Sequence, residues 1–529
     1  MGDYFNPGNQ MMQESLNSEI YVDKSMLIAA VNKHIATRQK YLCVSRPRRF
    51  GKSMAMNMLA AYYSMGCDSH EQFRGLKISS EASYPEHLNK HHVIRINMQE
   101  YLTFASTMEE LIANLTEDLL YEMLEEYHDL KYRKKDNLIQ VMKDMYRQTK
   151  VQFIILIDEW DCIFREYRED KKVQEKYLDF LRAWLKDQEY AGLVYMTGIL
   201  PIKKYGTHSA LNMFTEYSMT DPKELAPYFG FTEAEVQALC QEYHRDFAEL
   251  KAWYDGYCLR YMKNGQEQSY DMYNPKAVTE SMYSGECNTY WNNTETYEAL
   301  KVYIEMNFDG LKDAIVTMMA GGAVQINTNT FVNDMVTFHG RDDVLTLLVH
   351  LGYLSYDADR EEVSIPNSEV AREYYNAVST MDWDDVMTAI KDSKKLLEDL
   401  IAGDAEAVAA GVDKIHEEVS ILTYNNENAL SYTLGMAFYS ARNWYMTIRE
   451  MPAGRGYADI VLLPKHKFAD KPAILIELKW DAEADTAIRQ IHEKRYEGAL
   501  QGYEGNILLA GISYDKAAKK HSCIIEKLE

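Results

Sequence analysis

Gly51, Lys52 and Ser53 stand in a row between an apolar run, YLCVS at 41–45, and a helix-forming stretch that carries Met54, Met58 and Leu59. Strand, loop, Gly-Lys-Ser and helix is an order in which loop amides and a helix N-terminus cradle phosphates. The lysine then reaches the β- and γ-phosphates, and the serine hydroxyl holds Mg²⁺. The full pattern, G-x-x-x-x-G-K-[ST], asks for a glycine where this chain has Arg46, so the triplet alone is a weak sign. Its surroundings strengthen it. Arg46, Arg48 and Arg49 add positive charge, and residues 31–60 hold seven basic and no acidic side chains in a chain of net charge -24. The bland alternative is an ordinary basic loop.

A second group of residues fits the first. FIILIDEWD is a continuous apolar run closed by acids, as a strand buried on both faces of a parallel sheet would be. Asp158 at its end is placed to bind Mg²⁺ through water, and Glu159 to polarise an attacking water. Asp161 reads as a further polar contact or, the favoured reading, a helix N-cap. Thr197, closing the run LVYMT, stands where a polar sensor of the γ-phosphate could sit, though threonine also simply ends strands.

A third group lies near the C-terminus. Asp459 starts an apolar strand, and Glu477 and Lys479 follow 18 and 20 residues later on the next one. Spacing of two puts Glu477 and Lys479 on one strand face. Two carboxylates there would hold Mg²⁺ or Mn²⁺ against a scissile phosphate while the lysine orients water or stabilises charge. For E-x-K alone, a strand-edge ion pair would be the favoured reading. The preceding GRGYAD hairpin and the following helix favour the metal site.

These residues need elements to position them. The chain has 529 residues, which at roughly 100–200 per domain suggests about three domains. We expect an α/β domain over 1–220, a helical region over 221–404, and a second α/β module over 405–529. Within the middle region, residues 342–378 read as helix, strand, turn, strand, helix, a winged-helix-like order. DNA contact there is disfavoured, because residues 341–373 carry three basic and eight acidic side chains. The 57 Lys+Arg against 81 Asp+Glu exclude a general nucleic-acid coat and a polybasic membrane-surface protein. Residues 411–529, with 15 basic and 17 acidic, are near neutral. No apolar run approaches the roughly 18–20 residues of a membrane span. The start, MGDYFNPGNQ, lacks a secretory pattern. Seven scattered cysteines without C-x-x-C suit a reducing compartment, so a cytoplasmic location and no membrane partner are expected. The 14 histidines show no H-E-x-x-H, and neither zinc nor Ser-His-Asp chemistry is supported.

NSEIYVDKSMLI, CVSRPRRFGKS, IDEWD, TGILPI, SALNMFTEYSM, WYDGY (253–257) and YNP (273–275) follow one another as in the bacterial AAA-ATPase-like proteins, which this chain resembles over most of its first 280 residues. The resemblance implies a P-loop NTPase domain that binds ATP and Mg²⁺. Gly51, Lys52, Ser53, Asp158 and Glu159 fall at the nucleotide-site positions, and the first glycine is missing in that family too. No arginine finger is recognisable. Residues 410–515 resemble the PD-(D/E)XK phosphodiesterase superfamily, implying a restriction-endonuclease-like α/β domain with Asp459, Glu477 and Lys479 as its core. Glu427 matches an acid of that superfamily's first helix, and Gln490 and Tyr496 a polar pair on a later helix. The usual proline before the aspartate is replaced by Ala458. Together these imply an ATPase joined to a metal-dependent nuclease-like domain acting on nucleic acid, DNA above all. The alternative is a nucleotide-switched signalling module whose nuclease-like domain binds nucleic acid or a protein partner, or self-associates, without cleaving.

Overall fold

Five short strands form one parallel sheet: β1 (Tyr41–Ser45), β2 (His92–Asn97), β3 (Phe153–Asp158), β4 (Ala191–Gly198) and β5 (Thr215–Tyr217), in the order β2-β3-β4-β1-β5. The computed structural model describes residues 2–202, 211–291, 297–306, 308–332, 335–381, 383–418, 427–453, 456–465, 468–494 and 506–528. It divides into two units. The first holds Met1–Tyr243, Gly256–Ser284 and Ile326–Glu361, and the second holds the rest.

Every residue of β1, β3 and β4 is buried, because helices cover both sheet faces. One face meets α2 (Met108–Glu126), α3 (Leu138–Thr149) and α5 (Lys171–Leu185) through Leu115, Leu119, Val141, Met145, Leu181 and Trp184. The other meets α1 (Lys52–Tyr63) through Met56, Leu59 and Tyr63. A short helix, α4 (Cys162–Glu166), precedes α5. The register aligns Ser45 with Gly198 and Ile157 with Met196, so the carboxyl ends of β1, β3 and β4 lie together. Crevices beyond strand carboxyl ends are where open α/β sheets bind ligands.

The residues after 221 are less uniformly helical than their composition suggests. Strands β6 (Phe231–Thr232), β7 (Tyr257–Lys263) and β8 (Gln266–Tyr273) form an antiparallel sheet. The β7–β8 turn is Asn264-Gly265, both at positive φ (52° and 77°), the geometry for which Asn-Gly is the favoured pair. The winged-helix-like order is present: α6 (Arg341–Leu351), strands Ser355–Asp357 and Glu362–Ser364, then α7 (Ser368–Val378). The two units divide between those strands.

The second unit holds α8 (Asp384–Ala402), α9 (Ala405–Glu418) and α10 (Glu427–Ala437), then a sheet in sequence order: β9 (Tyr445–Ala453), β10 (Gly456–Pro464), β11 (Ala473–Trp480), β12 (Ile507–Asp515) and β13 (Lys520–Leu528). Only β11 and β12 run parallel, joined through α11 (Ala484–Lys494). That helix lies so close to β12 that a Cβ on Gly511 would stand 2.7 Å from the Ala484 carbonyl oxygen. Ala458, Val461, Leu475, Ile488, Ile491 and Leu509 form the core between sheet and helix.

Candidate functional site

At the end of β1 the chain turns through Arg46–Phe50 into α1. Gly51 sits at φ +85°, a conformation that favours glycine, and a Cβ there would meet nothing within 4 Å. The space before the helix N-terminus is therefore open to a phosphate. Lys52 is buried and donates to the carbonyl oxygens of Arg46 (3.0 Å) and Pro47 (2.9 Å). Burial pushes its ammonium below its ordinary range, against the pull of Glu159 and Asp158. The Ser53 hydroxyl donates to Asp158 Oδ2 at 2.7 Å, bringing together two hard oxygen ligands of the kind Mg²⁺ takes. These residues fit a magnesium nucleotide.

Glu159 stands beside them at φ +53°, outside the usual range for a residue with a side chain. Its surroundings hold it there: its amide donates to Asp158 Oδ1 (3.0 Å) and its carbonyl accepts from Cys162 (3.0 Å). Burial raises its carboxyl pKa, while Arg165 and Lys52 oppose the rise. Arg165, 9% exposed, pairs with the Glu159 carboxylate and lies 3.6 Å from Asp161. This arginine was invisible to sequence reasoning. Six residues separate it from Glu159, and only the turn at 159–161 folds it back. Arg48 is exposed and lies in the same electrostatic cluster with Arg165, Glu159 and Asp161, and Arg49 holds a left-handed turn at φ +66°.

Three of the polar side chains singled out in the sequence are fully buried. Arg46 is fully buried and donates to the carbonyls of Ser45 (2.9 Å) and Tyr217 (2.8 Å), with its guanidinium over the Phe229 ring. Thr197 is also fully buried, and its hydroxyl donates to Asp158, the carboxylate that accepts from Ser53 as well. Asp161 makes no side-chain cap bond. It accepts instead from the amides of Ile199 (3.1 Å) and Leu200 (2.9 Å), tying the end of β4 to the turn after β3.

In the second unit, β10 and β11 pair so that Ile460 faces Ile476. Asp459 lies one step before that pair, and its carboxylate accepts from the Leu478 amide at 2.7 Å. Glu477 is 1% exposed. Its Oε1 accepts from Lys479 Nζ at 3.1 Å and from Gln490 of α11, while its Oε2 is buried without a hydrogen-bond partner. A buried carboxylate oxygen without a donor is costly, and a divalent cation would satisfy it, so the residues fit a metal. Burial, reinforced by Asp459, pushes the Glu477 carboxyl up to about 7. Gln490 thus joins the site. Glu427 begins α10, but its side chain lies outside the described residues, as does Tyr496 altogether.

Residues 10–207 match the family described as predicted AAA-ATPase, and residues 426–523 match the PD-(D/E)XK nuclease superfamily. The chain joins an AAA-ATPase-like domain to a PD-(D/E)XK nuclease-superfamily domain. A curated relative, the uncharacterized protein in the vnfD 5' region of Azotobacter chroococcum mcd 1, is 24% identical over 263 residues. That alignment covers 48% of this chain and 47% of the relative, so the chain spans about half the relative's length. Among solved structures, Cdc6p from Pyrobaculum aerophilum matches at 7% identity with a TM-score of 0.25, covering 70% of this chain and 98% of that one. The Aeropyrum pernix ORC2 protein in ADPNP–ADP complexes matches at 10% and 0.27, covering 70% and 92%. Both likenesses are too distant to bear on fold or function.

The Glu477 shift in the nuclease-superfamily domain has a measurable consequence. The folded-state value lies above the ordinary 4.5, so the stabilisation is fully present below pH 4.5 and is lost as pH rises through 7. The difference corresponds to about 3 kcal/mol. In metal-free buffer, Glu477→Gln is expected to cancel most of that slope in urea unfolding between pH 5 and 8. Parallel slopes for variant and wild type would contradict the burial argument.

Proposed function

We propose that this protein binds and hydrolyses ATP at Lys52, Ser53, Asp158 and Glu159, and that this activity governs metal-dependent cleavage of nucleic acid, DNA above all, at Asp459, Glu477 and Lys479. The observation that carries the reading is the union, in one chain, of the Ser53–Asp158 pair at a phosphate loop with the unpartnered Glu477 oxygen beside Lys479. When bound, Mg²⁺ or Mn²⁺ would polarise the scissile phosphate and lower the pKa of its water. Glu477 and Asp459 would hold that ion. Gln490 and Lys479 fix the Glu477 carboxylate through Oε1, and the Lys479 ammonium also donates to the Leu478 carbonyl at 2.7 Å. In the ATPase site, Lys52 would turn from the loop carbonyls to the phosphates, and Glu159 would take a proton from the attacking water.

Among the described residues no helix is long and apolar enough to cross a membrane. The seven free cysteines fit our placement of the protein in the cytoplasm of a bacterium. A second reading, a nucleotide-switched binding module that acts on a protein partner or on another copy without cleaving, draws on the hold of Arg165 on Glu159. Incubation with single-stranded, duplex and branched DNA, with Mg²⁺ or Mn²⁺ and with or without ATP, separates the two. Cleavage that responds to ATP is expected, and intact substrates in every arm would leave the binding module standing.

A further inference from the structure

Three cations converge on two aromatic rings in the second unit. The Arg372 guanidinium lies 4.6 Å from the centroid of the Trp253 ring, and Lys465 Nζ lies 4.9 Å from the same centroid. Arg442 stacks at 4.7 Å on Tyr439, its carbonyl accepts from Lys465 Nζ at 2.7 Å, and the field of Arg372 also reaches the Tyr439 hydroxyl. Tyr375, 37% exposed, stacks on Tyr439. Among the described residues, no carboxylate lies within ion-pair distance of Arg372, Arg442 or Lys465. The acid whose field reaches Lys465, Glu249, is itself approached by Arg245 at 3.8 Å. Burial and Arg372 lower Lys465 to about 8.

Packing a single cation on an aromatic ring is ordinary and contributes about 0.5–2 kcal/mol. Gathering three without acids is different, because their mutual repulsion opposes folding unless an anion offsets it. In a chain of net charge -24 the concentration is the more pointed. We propose that Arg372, Arg442 and Lys465, backed by Trp253 and Tyr439, form a phosphate-contact site for the backbone of a nucleic acid. The proposal rests on the nucleic-acid reading above and adds to it where the polymer is held. Lys465 follows the end of β10 and Asp459 lies near its start, six residues apart, or about 20 Å along a strand. That span equals about six base-pair steps of duplex. A polymer can touch both places, whereas a mononucleotide or free phosphate cannot.

The test is fluorescence anisotropy of the full chain with a labelled duplex and a labelled single strand, in EDTA so that binding is separate from cleavage. The double variant Arg372→Gln/Lys465→Gln is expected to weaken binding roughly tenfold or more near 0.1 M salt. It should also reduce the slope of log affinity against log salt by about 2, about one per lost cation. Arg372→Lys/Lys465→Arg should keep the wild-type slope. If the double variant does not fold, Arg372→Gln at the exposed position alone should lower the slope by about 1. Unchanged affinity and slope overturn the proposal, even where wild type cleaves DNA. So does failure of the wild type to bind either polymer. Displacement of the duplex by inorganic phosphate better than by chloride of equal ionic strength would mark a small-anion site and overturn it as well. Polymer binding lost in the variant, with no cleavage by wild type, upholds the contact site while the nuclease reading falls.

Discussion

Lys52→Ala is expected to weaken ATP binding by about 10- to 100-fold, through loss of charge-assisted bonds worth about 1.5–3 kcal/mol. The ammonium is buried and already held by the Arg46 and Pro47 carbonyls, so alanine removes a positive charge that no neighbour can replace from the same place. Arg48 is exposed, and Arg165 is tied to Glu159 and close to Asp161. Glu159→Gln should behave differently. It keeps the size of the side chain and the Ser53–Asp158 contact, so nucleotide binding persists while turnover falls by about 10²- to 10⁴-fold, the usual worth of a general base. Filter retention of radiolabelled ATP reads the first effect and phosphate release the second. Wild-type ATP retention by Lys52→Ala would remove the phosphate-loop reading.

The second large effect belongs to the nuclease-superfamily domain. Lys479→Ala is expected to slow DNA cleavage by about 10²- to 10³-fold, the typical effect of removing one group that stabilises developing charge. Gln490→Ala should cost less, about 10- to 100-fold, because it acts through the orientation of Glu477. Its loss should appear as a raised metal requirement, which excess Mn²⁺ partly restores, whereas no metal concentration restores Lys479→Ala. Equal losses in both variants, insensitive to metal, would mean that Gln490 does not work through the carboxylate. Cleavage untouched in Lys479→Ala would place the chemistry elsewhere.

Much of this was legible in the residues. FIILID announces a strand buried on both faces because only a parallel sheet covered by helices asks for six apolar or terminal positions in succession, and all six are buried. The i, i+2 spacing of Glu477 and Lys479 fixes their common face, and the 3.1 Å contact follows from it. What escaped depends on approach between residues far apart in sequence or on where a long side chain turns. Arg46 is basic and follows the strand, yet its guanidinium turns to the Tyr217 carbonyl, 171 residues away. Trp253, Arg372 and Lys465 meet only in three dimensions. A count over 341–373 that includes Arg372 gives a net acidic segment, and so hides a positive cluster. The β7–β8 hairpin is a different failure: Asn264-Gly265 is a strong local turn sign lying inside a region expected to be helical.

The unpartnered oxygen of Glu477 makes metal uptake a proton exchange. With burial and Asp459 raising the carboxyl to about 7, the side chain is expected to hold at pH 6 a proton that an incoming divalent ion would displace, and to have shed it by pH 8.5. Calorimetric titrations with Mn²⁺ in two buffers of unlike ionisation enthalpy would then give different apparent heats at pH 6 and converge at pH 8.5. The difference counts the released protons directly. Weaker uptake of Mn²⁺ on the acid side of neutrality than on the alkaline side is the expected result.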